Sequence, residues 1–244
     1  MMAFTKLLDA FLGPLRIGEL YWHHPTNEAL RRNRRRTGGW CLDGGCESGA
    51  ALQALNKEVA PPGRIGLDIN VEACTRFRNA RPIHGDSCLA SCAVCGDLTA
   101  IPLVDSSMDL VICRSVLQYL DIPKAAAEIK RVLKPEGTVI IVSNLPYNPF
   151  VCLFRRVGKT KKQNRSIRGY YSPETIAAYF TQTKNFYHSE YHVFTPLLLP
   201  LRFLLPWSTT LLIIGWAVAA EKAVMRIVPR MRRFGWYTYL EIPV

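Results

Sequence analysis

Residues 40–52 read WCLDGGCESGAAL, and this stretch decides the fold. Trp40 to Asp43 is a short apolar run ending on an acid, a strand that stops at Asp43. Gly44, Gly45 and Gly49 then bring the chain round a tight turn into a helix. Glycines at such a turn let the backbone approach a ligand closely. The next apolar run, GRIGLDIN, ends on Asp68, 19 residues beyond Gly49. A carboxylate at that distance can accept hydrogen bonds from the two ribose hydroxyls of a nucleotide-like ligand. A glycine turn alone is often only a turn, and a strand-end acid alone only a solvated loop residue. Together at this spacing they point to a cofactor site.

Outward from this point the same texture repeats. The apolar runs SCAVCGD, MDLVICRS and GTVIIVSN follow, separated by the amphipathic stretches ESGAALQALNKEV, VEACTRFRNA and IPKAAAEIKRVLK. Strands alternating with helices predict βαβ units and a doubly wound, mostly parallel α/β sheet with helices on both faces. Beyond Asn144 the pattern loosens. YYSPETIAAYFTQT predicts a helix capped by Ser172, with Glu174 in its first turn. FYHSEYHVFT alternates like a strand, and GWYTYLEIPV reads as a final strand. The expected organisation is a helical prelude over 1–38, a core over 39–194, an apolar and basic helical insertion over 195–233, and the closing strand over 234–244.

Composition sets bounds on function. In 244 residues the chain is 49% hydrophobic and 20% charged, which describes a folded domain and excludes a disordered tail protein. A formal charge of +12 predicts an anionic partner: nucleic acid, an anionic membrane surface or an acidic metabolite. There are eight cysteines, and Cys41, Cys46 and Cys113 sit within or beside apolar runs, where cysteine acts as a small hydrophobe. The first twenty residues carry Asp9 inside their apolar stretch and lack a small-residue cleavage site, so a reducing, cytoplasmic setting is expected.

Residues 39–144 resemble the class I S-adenosylmethionine-dependent methyltransferases. That family opens with a strand followed by acid-x-Gly-x-Gly-x-Gly. The likeness continues through CGDLTAIPLVDSSMDLVICRSVLQYL and AAAEIKRVLKPEGTVIIVSN, five motifs in order at ordinary spacing. The resemblance implies a Rossmann-like seven-stranded sheet with an antiparallel last strand, and S-adenosyl-L-methionine as cofactor. It implies that Asp43, Gly44, Gly45, Cys46 and Gly49 form the turn beneath the methionine portion. Asp68 would hold the ribose and Ile69 would lie against the adenine. Asp97, beside Leu98, would accept from the adenine amino group, and Cys113–Ser115 would line the sulfonium. Tyr119 stands where many relatives carry histidine, and no catalytic base is assigned. One departure stands out: the middle glycine of the turn is Glu47. A positive φ there would cost about 1 kcal/mol for a non-glycine residue.

Other features are weighed against plainer readings. Cys88, Cys92 and Cys95 have the C-x3-C-x2-C spacing of an iron–sulfur triad, yet they lead into an expected strand and read as structural. NLPY at 144–147 follows the fifth strand and reads as a turn. The basic clusters Arg31–Arg36 and Lys159–Arg168 are solvated surface or phosphate contacts. Few aromatics interleave with them, which makes nucleic acid the weaker partner. Phe203 to Ala220 holds no charge. It packs on the domain, forms a homodimer or dips into an anionic membrane leaflet; Arg226, Arg230, Arg232 and Arg233 follow it. The functional expectation is methyl transfer to a small-molecule or lipid-like acceptor. The alternatives are a catalytically inert interaction module at a membrane and an RNA methyltransferase.

Overall fold

The computed structural model describes residues 32, 39–47, 49, 63–79, 90–150, 152–153, 167–182 and 185–244. Seven strands form one sheet: β1 (Trp40–Gly44), β2 (Gly63–Asp68), β3 (Ala90–Cys95), β4 (Met108–Arg114), β5 (Leu133–Asn144), β6 (Tyr187–Tyr191) and β7 (Tyr237–Pro243). Their order is β3-β2-β1-β4-β5-β7-β6. The pairs among β1 to β5 are all parallel, whereas β7 runs antiparallel to both β5 and β6. The sheet is thus seven-stranded, mostly parallel and Rossmann-like, with the antiparallel last strand that the sequence led us to expect. The prelude, the helix expected over 47–59 and Cys88 lie outside the described residues, apart from Arg32, Glu47 and Gly49.

Both faces of the central strands are buried, and side-chain alternation explains how. Val111 and Cys113 of β4, Val139 and Ile141 of β5, and Leu240 and Ile242 of β7 join one core. Their neighbours Leu110, Ile112, Ile140, Val142, Tyr237 and Tyr239 join the other. Helices α2 (Ile122–Val132) and α3 (Pro173–Phe180) cover the first core. In α2 the buried positions Ile122, Ala125, Ala126, Ile129 and Val132 recur at helical spacing. Its Asp121 cap accepts from the Lys124 N–H, and Lys130 and Arg131 close the last turn. Ser172 caps α3 by accepting from the Thr175 N–H at 3.2 Å, and Glu174 occupies the first turn, as read from sequence. On the second core, Phe77 of α1 (Val71–Asn79) packs beside Cys41 and Cys46.

Arg131 shows why an arginine ends α2. Its guanidinium donates to the Leu103 and Ile101 carbonyls and pairs with Glu128 and Asp105, while Glu128 also accepts from the Ile101 N–H. One side chain therefore fastens the loop between β3 and β4. That loop carries Asp97 and Leu98. Near the start of β5, where its register against β4 shifts, Glu136 has a φ of 66°. Left-handed backbone costs a residue with a Cβ about 1 kcal/mol relative to glycine. Glu136→Gly is therefore expected to raise unfolding free energy by about 1 kcal/mol in urea titrations. An unchanged midpoint would show that the glutamate side chain offsets the strain.

Arg32, the described residue of the prelude, donates to Glu241 at 3.1 Å and lies 3.8 Å above the Tyr187 ring. From the cluster Arg31–Arg36 this side chain is thus an anchor onto β6 and β7. After β6 the chain forms a 3-10 segment over Thr195–Phe203 and then α4 (Trp207–Ile227). A second 3-10 segment, Pro229–Phe234, leads into β7. No helix among the described residues is long and apolar enough to cross a membrane.

Candidate cofactor site

In a doubly wound sheet the crevice for a ligand opens beyond the strands' carboxyl ends, where the strand order reverses. Here the reversal falls between β1 and β4. A cavity of about 730 Å³ lies there, lined by residues that follow β1, β2, β3 and β4. That is within the range of about 300–1,000 Å³ typical of small-ligand sites.

The turn after β1 is the floor. The N–H groups of Gly45 and Cys46 both donate to the Leu67 carbonyl, at 2.8 and 3.1 Å, which folds the turn over the end of β2. Gly45 has a φ of 73°, and a Cβ on Gly44 would meet Leu98 at 2.7 Å. Here the sequence needs glycine twice, once for conformation and once for space. Glu47 has a φ of 49°, so the middle position of the turn does demand left-handed backbone. Ser115, on the facing loop after β4, has a φ of 53°. Strained residues on both lips are what a preorganised ligand site shows. Glu47→Gly is expected to relieve about 1 kcal/mol of strain and to keep or tighten cofactor affinity. A large loss of affinity would show that the carboxylate has its own ligand contact.

Asp68 is held in place by backbone. Its Oδ2 accepts from the Glu47 N–H at 3.0 Å, and its Oδ1 from the Asn70 N–H at 2.9 Å. The same N–H that survives glycine's replacement by Glu47 therefore ties the turn to the acid. Ile69 beside it is 74% exposed and lines the cavity, an apolar surface waiting for an apolar face. Asp97 accepts from the Thr99 N–H at 2.8 Å and lines the wall with Leu98.

Asp43 is the most unusual group. It is 1% exposed, it lines the cavity, and its Oδ2 has no hydrogen-bond partner. Burial pushes its carboxyl up to about 6; the Arg114 guanidinium opposes the rise and Asp68 adds to it. Arg114 has a buried Nη1 without a partner, and burial lowers its pKa. Two buried, incompletely satisfied charged groups at one cavity floor are costly unless a ligand meets them.

The structure brings Asp43, Gly45, Cys46, Asp68, Ile69, Asp97 and Leu98 to one cavity. Gly44 and Gly49 shape the turn without lining it. Cys113 departs from expectation: it is fully buried in the first core, with its thiol pushed up to about 12 by burial. Strand alternation sends Cys113 to that core, and of the expected segment Cys113–Ser115 it is Arg114 and Ser115 that line the cavity. Sequence reading also missed Gln118, Lys124 and Arg168 on the cavity wall. Asn144, the first residue of NLPY, ends β5 and donates to Gln118 at 3.0 Å, so it buttresses the wall. Cys92 and Cys95 lie three residues apart on β3 and so face opposite sides of the sheet. Among the described residues no cluster of three or more His, Cys, Asp or Glu could hold a metal ion.

Residues 42–141 match the family model described as a methyltransferase domain. This stretch of the core carries the likeness to the class I S-adenosylmethionine-dependent methyltransferases. Their cofactor is S-adenosyl-L-methionine. The malonyl-[acyl-carrier protein] O-methyltransferase of Dechloromonas aromatica is 33% identical over 102 residues, covering 42% of this chain and 35% of that protein. The demethylmenaquinone methyltransferase of Lactobacillus johnsonii is 34% identical over 130 residues, covering 51% of this chain and 52% of that one. The chain thus spans between about a third and a half of the length of these curated relatives. Among solved structures, the Haloferax volcanii protein in complex with the Trm112 methyltransferase activator superposes with a TM-score of 0.60 at 23% identity. It covers 98% of this chain and 96% of its own, and it shows the shared fold.

Proposed function

We propose that the chain transfers a methyl group from S-adenosylmethionine to a small-molecule acceptor. One observation carries this reading: the Asp68 carboxylate, fixed by two backbone N–H groups at the end of β2, lines the cavity of about 730 Å³ that opens at the reversal point of the sheet. The residues suit the cofactor's parts. Asp68 would accept from the ribose hydroxyls, Ile69 would cover the adenine, and Asp97 would accept from its amino group. The orphaned Asp43 carboxylate on the floor suits a cationic group.

When bound, S-adenosylmethionine supplies a methyl already activated on its sulfonium. The chain's own residues then have to align the acceptor and keep water out. Gln118, Tyr119, Lys124 and Arg168 line one side of the cavity, with Asp121 3.9 Å from the Arg168 guanidinium. The Arg168 N–H donates to the Gln118 carbonyl at 2.8 Å, which holds this wall together. Two exposed cations at the mouth suit an acceptor bearing an anionic group, and the relative acting on malonyl-[acyl-carrier protein] handles a carboxylate-bearing one. No residue is placed as a general base, and an acceptor already deprotonated needs none.

The test is calorimetric titration of the protein with S-adenosylmethionine, followed by transfer of labelled methyl to a panel of anionic and neutral small acceptors. Saturable binding with methyl transfer favouring the anionic acceptors is expected. Absence of binding would overturn the enzyme reading in favour of an inert fold.

A further inference from the structure

A surface helix normally turns one apolar face inward and a polar face outward. Helix α4 does not. Its inward side carries the buried Thr210, Ile214, Glu221 and Met225. Its outward side, half a turn away, carries Leu212, Trp216, Ala219, Ala223 and Ile227, all exposed. The three large ones are 63%, 72% and 81% exposed, and Leu204, just before the helix, is 78% exposed. A contiguous apolar stripe about 22 Å long, from Leu212 to Ile227, therefore points away from the domain. Stripes of this kind mark contact surfaces.

The charges around it say what it contacts. Lys222 and Arg226 run along one flank of the stripe, and exposed Arg230 and Arg233 follow at its C-terminal end. Lys222, Arg226 and Arg232 also line a second cavity of about 310 Å³ between α4 and β6. His188 and Glu190 of β6 face the same space, paired with each other at 2.6 Å. An apolar face with a basic flank and a basic cavity beside it complements acyl chains next to anionic headgroups.

The helix is also held so that it can lie flat. The Glu221 carboxylate accepts from the Phe194 and Thr195 N–H groups, pinning the middle of α4 to the preceding segment. Both ends of the insertion return to the sheet, through β6 at Tyr191 and β7 at Tyr237. With both connections on one side, the helix can rest on a bilayer but cannot thread through it.

We infer that α4 docks the protein on an anionic phospholipid surface, with Leu212, Trp216 and Ile227 in the interface and the Lys222–Arg226–Arg232 cavity facing the headgroups. This surface is distinct from the cofactor site, so the inference stands independently of the proposed reaction.

The experiment is sedimentation of the full chain with vesicles of phosphatidylcholine alone, or mixed with phosphatidylglycerol. Strong retention by the mixed vesicles, weak retention by the neutral ones, and release by added salt are expected. Trp216 fluorescence should shift to the blue on binding, and the shift should vanish in Trp216→Phe. Replacing Arg226, Arg230 and Arg233 with glutamine should lower partition about a hundredfold. Trp216→Ser with Ile227→Ser should lower it about tenfold or more. These positions are exposed, so melting temperature and S-adenosylmethionine affinity should hold in both variants. Equal retention by the two vesicle types would overturn the inference. So would a stable dimer that the serine variant dissociates, because the stripe would then be covered by a second copy.

Discussion

Replacing Asp68 with alanine is expected to weaken S-adenosylmethionine binding by about 1.5–3 kcal/mol, because hydrogen bonds to a charged acceptor fall in that range. The dissociation constant should rise about ten- to a hundredfold. In this chain the substitution does a second thing: it releases the N–H groups of Glu47 and Asn70, which the carboxylate now satisfies. Because glutamate already holds a left-handed turn position, losing that tie should loosen the turn as well. Asp68→Asn separates the two effects, since it keeps the size and one acceptor oxygen but loses the charge. Calorimetry beside thermal melting reads both. Undiminished affinity in a folded Asp68→Ala variant would remove the acid from the site, and with it the main support for the proposed function.

The ligand-free protein should lose stability as pH rises through the range where Asp43 ionises. Burial holds this carboxyl at about 6 in the folded chain, against about 3.9 in an unfolded one. Below pH 4 both states are protonated, and the group's contribution is fully present. Between those values the folded state keeps a proton that the unfolded state has released. Stability therefore falls with rising pH, and above about pH 6 the loss approaches 3 kcal/mol for a shift of about two units. Glu128, hydrogen-bonded to Arg131, lies below its usual range and acts in the opposite sense, while Glu221, raised by burial, acts in the same sense. The informative quantity is thus the difference between the parent and Asp43→Asn in urea. The asparagine variant should gain about 2 kcal/mol relative to the parent between pH 4 and pH 8, and it should bind cofactor more weakly at pH 8. A difference that stays flat across this range would mean that the carboxyl is not held protonated.

Much of this was readable before any coordinates, and for identifiable reasons. Strands β1, β2 and β4 are buried over most of their length, so WCLDGG, GRIGLDI and MDLVICRS stand out as largely apolar runs. Ser172 announced its helix because a serine before Pro-Glu satisfies free N–H groups at a helix start. Asp43 and Asp68 were visible as acids at the ends of such runs. What stayed hidden depends on facing and on distance. Whether Cys113 or Arg114 looks into the cavity is a question of register, and one residue reverses the answer. Lys124 lies in the first turn of α2 and Arg168 on the stretch before α3, and only the folded chain brings them to one wall. The greasy stretch before β7 was equally ambiguous. Its composition says that it is apolar, but only packing shows that Leu212, Trp216 and Ile227 lie on the uncovered side.

The position of β7 has a bearing on how the chain reaches this state. Its partner β6 is hydrogen-bonded to no other described strand, so β6 can join the sheet only once β7 is in place. On a ribosome, residues 237–243 emerge after α4 and after everything else in the sheet. Until then the edge of β5 is open, β6 is unmoored, and the apolar stripe of α4 is already outside the exit tunnel. Closing so long a loop is slow, and exposed strand edges invite aggregation meanwhile. A chain truncated before Tyr237 should therefore be digested by protease from β6 onward while β1 to β5 resist, and restoring the last strand should protect all seven together.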